Sequence, residues 1–257
     1  MVEKRVAVVT GASSGIGAAT ALRLADDFGG IVLVASRADE LQRTAERVRA
    51  AGAEPLIVCA DLMEADAAQR IIHETTARFG RIDALINVAG AVPQVDVFEM
   101  SDAQWIASME VKFHSARRLT IQAWPHLTSS RGSVIFMSGT AAENPKPAAA
   151  AIAATNAAVD ALSKAFAEHG LADGVRVNTV LPGPIMTERR TVFLEKMATS
   201  QKITVDQAAQ SFLSESRIAR FGQPGEVAEL IAFLVSPKAN FITGTAIRID
   251  GGEVKGI

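Results

Sequence analysis

A glycine-rich turn near the start of the chain has the residues of a phosphate-binding site. The segment TGASSGIG, from Thr10 to Gly17, follows the apolar run Val6–Val9 and precedes a helical stretch. Glycine permits a tight turn and a close approach of the backbone to a pyrophosphate, and the helix N-terminus offers unpaired N–H groups and a positive dipole end. The pattern therefore predicts a dinucleotide site with contacts from Gly11, Ser13, Ser14, Gly15, Ile16 and Gly17.

The end of the second apolar run indicates which dinucleotide binds. Proteins that bind NAD place an acidic residue there, which hydrogen-bonds the ribose 2′-hydroxyl, whereas arginine accommodates the 2′-phosphate of NADP. This chain has Ser36 at that place, followed by Arg37. A guanidinium offers a phosphate paired donors, and a carboxylate would repel it. We predict that NADP(H) is favoured over NAD(H), with Arg37 at the 2′-phosphate.

Further motifs follow the turn in order along nearly the whole chain, and together they resemble the short-chain dehydrogenase/reductase family. They are Asp61-Leu62, NVAG ending at Gly90, PGPIMT ending at Thr187, RFGQP beginning at Arg220, ITG ending at Gly244 and DGG ending at Gly252. The resemblance implies an oxidoreductase. It also implies that the adenine meets Asp61 and Leu62, that Asn87, Ala89 and Gly90 line the cofactor cleft, and that Pro182, Gly183, Ile185 and Thr187 form its nicotinamide end.

The catalytic residues of that family are missing from this chain. Family members carry a serine after the fifth strand, a tyrosine thirteen residues later and a lysine four residues beyond it, and the tyrosine transfers the proton while hydride passes to or from nicotinamide. This chain contains no tyrosine. One alignment takes Ser138 as the serine and places Ala151 and Thr155 at the other positions. A second alignment uses Gly139, Ile152 and Asn156. We prefer it because the fifth strand then aligns with the fifth strand of family members.

The family's fourth active-site residue, an asparagine on the preceding long helix, is replaced by Lys112. Lysine and asparagine therefore exchange places between two facing helices, and we predict that the Lys112 ammonium lies opposite Asn156. The alternatives are that Lys112 reaches solvent or pairs with Glu110 or Asp160. The positional candidates for catalysis are Ser138, Asn156 and Lys112, whereas the loop residues Thr140, Glu143 and Lys146 are expected in solvent.

The elements that must hold these residues alternate between strands and helices, which predicts a single-domain, Rossmann-like α/β fold. Continuous apolar runs are typical of parallel strands buried on both faces, so we expect a doubly wound parallel sheet of about seven strands with helices on both faces. Residues 1–257 form one domain, with a lid at about 184–220. The predicted strands are Val6–Val9, Ile31–Ala35, Leu56–Cys59, Ala84–Val88, Ser133–Met137, Val175–Val180 and Ala246–Ile249. The predicted helices are Gly17–Phe28, Glu40–Ala51, Ala65–Phe79, Asp102–Trp124, Ala148–Leu171 and Glu226–Val235.

Composition excludes several function classes. The formal net charge of -2 gives no basic surface for nucleic acid or an anionic membrane. The single cysteine, Cys59, lies in an apolar run and is expected to be buried, and the histidine spacing suggests no metal site. The N-terminal apolar stretch is too short for a signal peptide and the longest apolar tract too short for a bilayer, so a cytoplasmic protein is expected.

Three functions are compatible with this pattern. The first is an NADP(H)-dependent oxidoreductase that acts on a carbonyl or alcohol through an unusual proton donor, with atypical or impaired catalysis. The second is a non-catalytic NADP(H)-binding sensor or partner protein, and a weaker third is non-redox chemistry on the same scaffold. The alanine-rich helix from Ala148 permits close helix–helix approach, and family members commonly pair this helix across a two-fold axis, so a homodimer or homotetramer is expected.

Overall fold

The structure is a computed structural model that describes residues 5–256, and its centre is one seven-stranded parallel sheet. The strands are β1 (Val6–Thr10), β2 (Gly30–Ala35), β3 (Glu54–Cys59), β4 (Ala84–Asn87), β5 (Ser133–Met137), β6 (Arg176–Pro182) and β7 (Ala246–Ile249). The helices are α1 (Gly15–Leu24), α2 (Ala38–Ala50), α3 (Ala67–Phe79), α4 (Asp102–Met109), α5 (Ser115–Ser130), α6 (Ala150–Asp173), α7 (Glu188–Gln201), α8 (Val205–Ser216) and α9 (Pro224–Val235). The predicted single-domain Rossmann-like fold is confirmed.

The strand order, β3-β2-β1-β4-β5-β6-β7, fixes where a ligand can enter. The chain runs outward from β1 to β3 and then returns to the other side of β1, where Val9 is paired with Ile86 of β4. At such a reversal the helices that follow the two strands leave on opposite faces, and a crevice opens beyond the carboxyl ends of the strands. The glycine-rich turn after β1 and the NVAG segment after β4 therefore meet at one cleft.

Two hydrophobic cores cover the two faces of the sheet. On one face, α1, α2 and α9 pack against the strands, with Leu24, Leu41 and Ile231 fully buried. On the other face, α3, α5 and α6 pack, with Leu119 and Leu127 at most 1% exposed. Because both faces are buried, the strands read as continuous apolar runs, and the strand predictions made from those runs are confirmed to within two residues at each end.

One predicted helix and one predicted burial are wrong. The predicted helix Asp102–Trp124 is interrupted by a π-helical turn, Glu110–His114, and its second part extends to Ser130. Apolar periodicity does not reveal a single widened turn, because the flanking helices keep their faces. Cys59 is exposed rather than buried, because it ends β3, the edge strand of the sheet, and its thiol donates to the Ser36 carbonyl at 3.4 Å.

The segment predicted as a lid contains α7 and α8, joined by Lys202 in a left-handed conformation. Neither helix belongs to the layers that cover the sheet.

Across residues 5–256, no helix is both long and apolar enough to cross a membrane, and no cluster of three or more metal-ligating side chains occurs.

Candidate active site and cofactor cleft

The glycine-rich turn is closely packed and leaves a helix end open. A Cβ atom at Gly17 would lie 2.1 Å from the Gly11 carbonyl oxygen, so only glycine allows α1 to begin this close to the turn. Ser14 stands at the N-cap of α1, but its side chain does not cap the helix. The first N–H groups of α1 therefore suit an oxyanion, as a pyrophosphate site requires.

Arg37 lies against this turn. Its guanidinium donates to the Ser13 hydroxyl at 3.1 Å and to the Ser14 hydroxyl at 3.0 Å, and it forms an ion pair with Glu40 at 2.6 Å. The side chain remains 51% exposed, and a guanidinium has five N–H donors, so some of them remain available. Arg37, Ser13 and Ser14 thus form one donor cluster beside the helix N-terminus, which fits the 2′-phosphate and pyrophosphate of an NADP-type cofactor.

The end of β4 carries a buried acceptor, Asn87 Oδ1. The Thr10 hydroxyl accepts from the backbone N–H groups of Val88 and Ala89, both at 3.0 Å, and so ties β4 to β1. Asn87 donates to the Thr120 hydroxyl, and its Oδ1 atom is buried without a hydrogen-bond partner among the described residues. Burying an unpaired amide oxygen costs free energy, and a ribose hydroxyl of a dinucleotide would satisfy it.

The segment after β6 closes the cleft opposite the turn. Ile185 is buried and forms a parallel bridge with Gly222 at the far end of the lid. Thr187 caps α7 and lies against the glycine-rich turn, since a Cβ at Gly15 would meet its methyl group at 3.4 Å. Pro182 ends β6, and Gly183 lies against Asp250, so the predicted nicotinamide-side residues share one wall of the cleft.

The predicted adenine contacts lie at the outer rim. The Asp61 carboxylate is exposed and accepts from the Met63 backbone N–H at 2.9 Å, so one of its oxygens is engaged in a local turn. Leu62 packs on the core beneath α3, and its carbonyl accepts from Arg118. Both residues follow β3 and border the crevice, and their contact with an adenine stays a prediction.

The predicted contact between Lys112 and Asn156 is present. Lys112 lies in the π-helical turn and is only 8% exposed; its Nζ donates to Asn156 Oδ1 and, at 3.3 Å, to the Ser138 carbonyl. The Ser138 hydroxyl donates to the Asn156 carbonyl at 3.2 Å. All three candidate residues therefore form one buried network at the carboxyl end of β5. Neither Glu110, which pairs with Arg118, nor solvent holds the Lys112 ammonium.

Two glycines make room for this network. A Cβ at Gly90 would lie within 3.0 Å of three carbon atoms of the Lys112 side chain, and the Gly90 φ of 144° is itself unfavourable for other residues. A Cβ at Gly139 would lie 2.9 Å from Asn156 Nδ2. Gly139 therefore lies beside Asn156, and the choice between the two alignments stays a prediction.

Burial dominates the electrostatics of the network. It lowers the pKa of Lys112 to about 8, and the nearby positive charge of Arg189 lowers it further, against the smaller opposing effect of Asp160. Asp160, one helical turn after Asn156, has its own pKa raised by burial to about 6, although the Ser138 hydroxyl and Lys112 favour its charged form. The Asp160 Oδ1 atom is buried without a hydrogen-bond partner within residues 5–256.

Comparison with known proteins identifies the family. Residues 11–253 match the family profile described as Enoyl-(Acyl carrier protein) reductase. The uncharacterised oxidoreductase YvaG of Bacillus subtilis is 30% identical over 260 residues, with 98% of this chain and 97% of that protein covered. The 3-oxoacyl-[acyl-carrier-protein] reductase FabG of Staphylococcus aureus is 30% identical over 248 residues, covering 96% of each chain. The chain belongs to the short-chain dehydrogenase/reductase family.

Solved structures of short-chain reductases agree closely with this fold. L-sorbose reductase from Gluconobacter frateurii, complexed with NADPH and L-sorbose, has a TM-score of 0.95 at 30% identity and covers 100% of this chain and 98% of its own. Actinorhodin polyketide ketoreductase with NADPH has a TM-score of 0.92 at 27% identity, covering 97% of each chain. The oxidoreductase fold expected from the sequence motifs is thus confirmed.

This short-chain dehydrogenase/reductase fills the tyrosine position of the favoured alignment with a hydrocarbon. Ile152, in the first turn of α6, packs with Val92, Met100 and Trp105 in a small apolar cluster outside the main cores. An isoleucine side chain has no proton to transfer. The Ile152 side chain therefore makes this position apolar.

The loop after β5 differs from expectation at one residue. Glu143 and Lys146 are exposed, as expected, and Glu143 pairs with Arg248 at 3.4 Å. Thr140 is 7% exposed rather than solvated, because its hydroxyl donates to Glu253 Oε2 at 2.7 Å. Glu253, which lies far along the chain, was not expected at the site, and Asp160 was expected only as an alternative partner of Lys112. The spacing of Asp160 from Asn156, one helical turn, was the signal available for it.

Proposed function

We propose that this short-chain dehydrogenase/reductase uses NADP(H) to reduce a carbonyl compound, or oxidise the matching alcohol, without a phenolic proton donor. The observation that carries the proposal is the Arg37–Ser13–Ser14 cluster at the open end of α1. This cluster would bind the phosphates of NADP(H), and hydride transfer requires that cofactor. The NADPH complexes of its structural neighbours support the same cofactor.

When bound, the nicotinamide supplies the hydride, and the protein's residues supply position and charge. Lys112 Nζ holds a positive charge at the carboxyl end of β5, fixed by two oxygen acceptors. That charge stabilises the negative oxygen that forms as a carbonyl is reduced, and the ammonium has a proton to transfer. Asn156 and Ser138 orient Lys112, and Ile152 excludes water from the adjoining wall.

Catalysis of simple ketones is proposed to be slow. A positioned acid typically contributes about 10²–10⁴ in rate. A buried lysine whose proton is shared with an amide oxygen is a less directed donor than a phenol that faces the substrate. The second candidate function, a non-catalytic NADP(H)-binding sensor, is favoured by one observation, the hydrocarbon side chain at position 152.

Fluorescence titration and turnover measurements test the proposal. NADPH should bind more tightly than NADH, and a panel of aldehydes, simple ketones and oxo acids should reveal NADPH oxidation with at least one class. NADPH binding without turnover on any of them would favour the sensor, and absence of NADPH binding would refute both functions.

A quadruple variant tests the explanation for slow catalysis. Gly139→Ser, Ile152→Tyr, Asn156→Lys and Lys112→Asn together rebuild the family pattern in the alignment used here. The variant should reduce a simple ketone at least about tenfold faster than the unaltered protein, because it regains a positioned acid. The matched control is the same variant with Phe in place of Tyr at position 152. Equal rates for the two would contradict the role assigned to the missing phenol.

We also propose that the protein forms a homodimer or homotetramer. Ile106 on α4 and Ile121 on α5 are 69% and 47% exposed, which leaves apolar side chains on the outer face of these helices. Association would remove them from water.

A further inference from the structure

Two cationic side chains contact one short segment after β4, residues 90–92. The Lys112 side chain lies across Gly90, with its Cγ 2.7 Å from the position of a Cβ there. Arg189, in the first turn of α7, donates to the carbonyl of Val92, two residues further on. The two positively charged side chains therefore lie against the same short segment.

Neither cation is neutralised by a directly bonded carboxylate. The partners of Lys112 are an amide oxygen and a backbone carbonyl. Over the described range 5–256, no acidic side chain forms an ion pair with Arg189, whose recorded hydrogen-bond acceptor is the neutral Val92 carbonyl. The residue is exposed, and a guanidinium has five N–H donors, so several remain available to a ligand.

The neighbouring residue, Arg190, has a different environment from Arg189. Arg190 is packed within the lid: its guanidinium lies 4.6 Å from the Phe212 ring centroid and 5.2 Å from that of Phe193. Arg190 therefore has a structural place of its own, whereas Arg189 bridges from the lid to the loop after β4. The positive charge of Arg189 lowers the pKa of Lys112, in keeping with the contacts of both side chains to the same segment.

We propose that Arg189 binds the carboxylate of a short oxo acid whose carbonyl lies at Lys112. A guanidinium pairs with a carboxylate through two parallel hydrogen bonds, and a carboxylate between two cations would relieve their repulsion. The apolar cluster around Ile152 would cover the rest of a small substrate.

The proposal rests on the proposed reductase function and defines its substrate class. In the reduction, a hydride from NADPH adds to the carbonyl carbon, and the electron pair of the C=O π bond passes to oxygen. That oxygen takes a proton from the Lys112 ammonium, and the neutral amine regains a proton from water after the product has left the cleft. The products are a hydroxy acid and NADP⁺.

Calorimetric titration with acetoacetate and its neutral analogue acetoacetamide tests the carboxylate site. The two ligands are nearly equal in size, so a difference in affinity reports the charge. With NADP⁺ present, acetoacetate should bind at least tenfold more tightly than acetoacetamide. Arg189→Gln should bring the ratio close to one, and Arg189→Lys should retain part of it. Arg190→Gln, which removes the same charge at the next position, should leave the ratio nearly unchanged.

Failure of this inference is distinguishable from failure of the proposed function. A ratio near one in the unaltered protein, or an unchanged ratio in Arg189→Gln, would overturn the carboxylate site even if NADPH binds and ketones are reduced. If NADP(H) does not bind, the proposed function fails, but titration of acetoacetate and acetoacetamide into the protein alone still measures the preference. Loss of the preference in Arg190→Gln as strongly as in Arg189→Gln would also overturn the specific role of Arg189.

Discussion

The Lys112 ammonium is enclosed by protein, and both of its hydrogen-bond acceptors are neutral oxygens. Neutral acceptors compensate only part of the cost of removing a charge from water, so burial lowers the pKa of Lys112 to about 8. Its surroundings contribute opposing charges: Arg189 from α7 disfavours the ammonium, and Asp160 from α6 favours it. The charge of this single residue therefore changes within the pH range in which most assays are made.

This shifted pKa predicts how stability depends on pH. In the unfolded chain a lysine keeps its proton up to about pH 10.4, so between about pH 8 and that value the native state binds fewer protons. The contribution of Lys112 to the free energy of unfolding therefore increases as the pH rises through this window. At pH 7, Lys112→Met should be more stable than the unaltered protein. This difference in the free energy of unfolding should shrink by roughly 2–3 kcal/mol between pH 7 and pH 10.

Urea unfolding at the two pH values measures this change. Lys164→Met, which removes an exposed lysine from the same region of the chain, serves as the control. A difference between Lys112→Met and the unaltered protein that is the same at pH 7 and pH 10 would contradict the enclosed ammonium.

Gly90 gives a second prediction about single residues. Gly90→Ala would place a methyl group within 3.0 Å of the Lys112 side chain and would force an unfavourable φ of 144° on alanine. Overpacking of this kind typically costs about 1–3 kcal/mol, so the melting temperature should fall, and any NADPH-dependent turnover should fall with the displaced ammonium. Gly225→Ala is the matched control, since nothing lies within 4 Å of a Cβ there. A stable Gly90→Ala variant with full turnover would show that Lys112 is free to move.

Some of this site was predictable from single residues, and the rest depended on distant packing. The Lys112–Asn156 contact could be predicted because lysine and asparagine each stand where the family has the other residue. Glu253 lies more than a hundred residues from Thr140, and only the return of β7 to the sheet brings them together. Motifs locate residues that the family shares, whereas contacts formed by residues peculiar to this chain need the folded structure.

At the scale of elements, the π-helical turn Glu110–His114 determines how α4 and α5 meet α6. One widened turn places an additional residue in the helix and changes the direction of the side chains after it. It presents Lys112 to Asn156 while α5 continues to pack on the sheet. The strands were predictable because burial on both faces leaves a continuous apolar pattern, but this turn was not, because its flanking residues keep an ordinary helical pattern.

The N-terminus of α2 carries the prediction on cofactor choice. Arg37 stands at its N-cap and contacts the hydroxyls of Ser13 and Ser14, so it links α2 to the glycine-rich turn. A hydrogen bond to a charged group contributes about 1.5–3 kcal/mol. Arg37→Ala should therefore weaken NADPH binding about tenfold to a hundredfold in fluorescence titration and change NADH binding little.

Arg43→Ala is the control for this measurement, because Arg43 is an exposed arginine on the same helix. It should leave the preference for NADPH intact. Equal affinities of the unaltered protein for NADPH and NADH, or an unchanged NADPH affinity in Arg37→Ala, would contradict the assignment of Arg37 to the 2′-phosphate.

At the scale of the whole molecule, the exposed apolar side chains predict association. Ile106 and Ile121 lie on helices that flank the active site, so pairing of these helices would also brace the π-helical turn. We expect light scattering to give the mass of a dimer or tetramer. Ile121→Glu should shift the protein toward a smaller species, because a carboxylate is costly to bury in an apolar contact.

Val205→Glu provides the comparison, since Val205 is 41% exposed but lies on α8 of the lid. It should leave the mass unchanged. A monomer at working concentration, or an Ile121→Glu protein of unaltered mass, would contradict association through α4 and α5.

The room left by Gly139 and Gly90 constrains how this chain can change over evolutionary time. Asn156→Lys alone would bring a second ammonium to the one already held by Lys112, and Lys112→Asn alone would leave the cleft with no cation at that place. A serine at position 139 would meet the Asn156 amide before a lysine had replaced it. Each single step of the exchange is therefore expected to be unfavourable. Positions 112, 139 and 156 are coupled, so substitutions at these positions should be made together rather than one at a time.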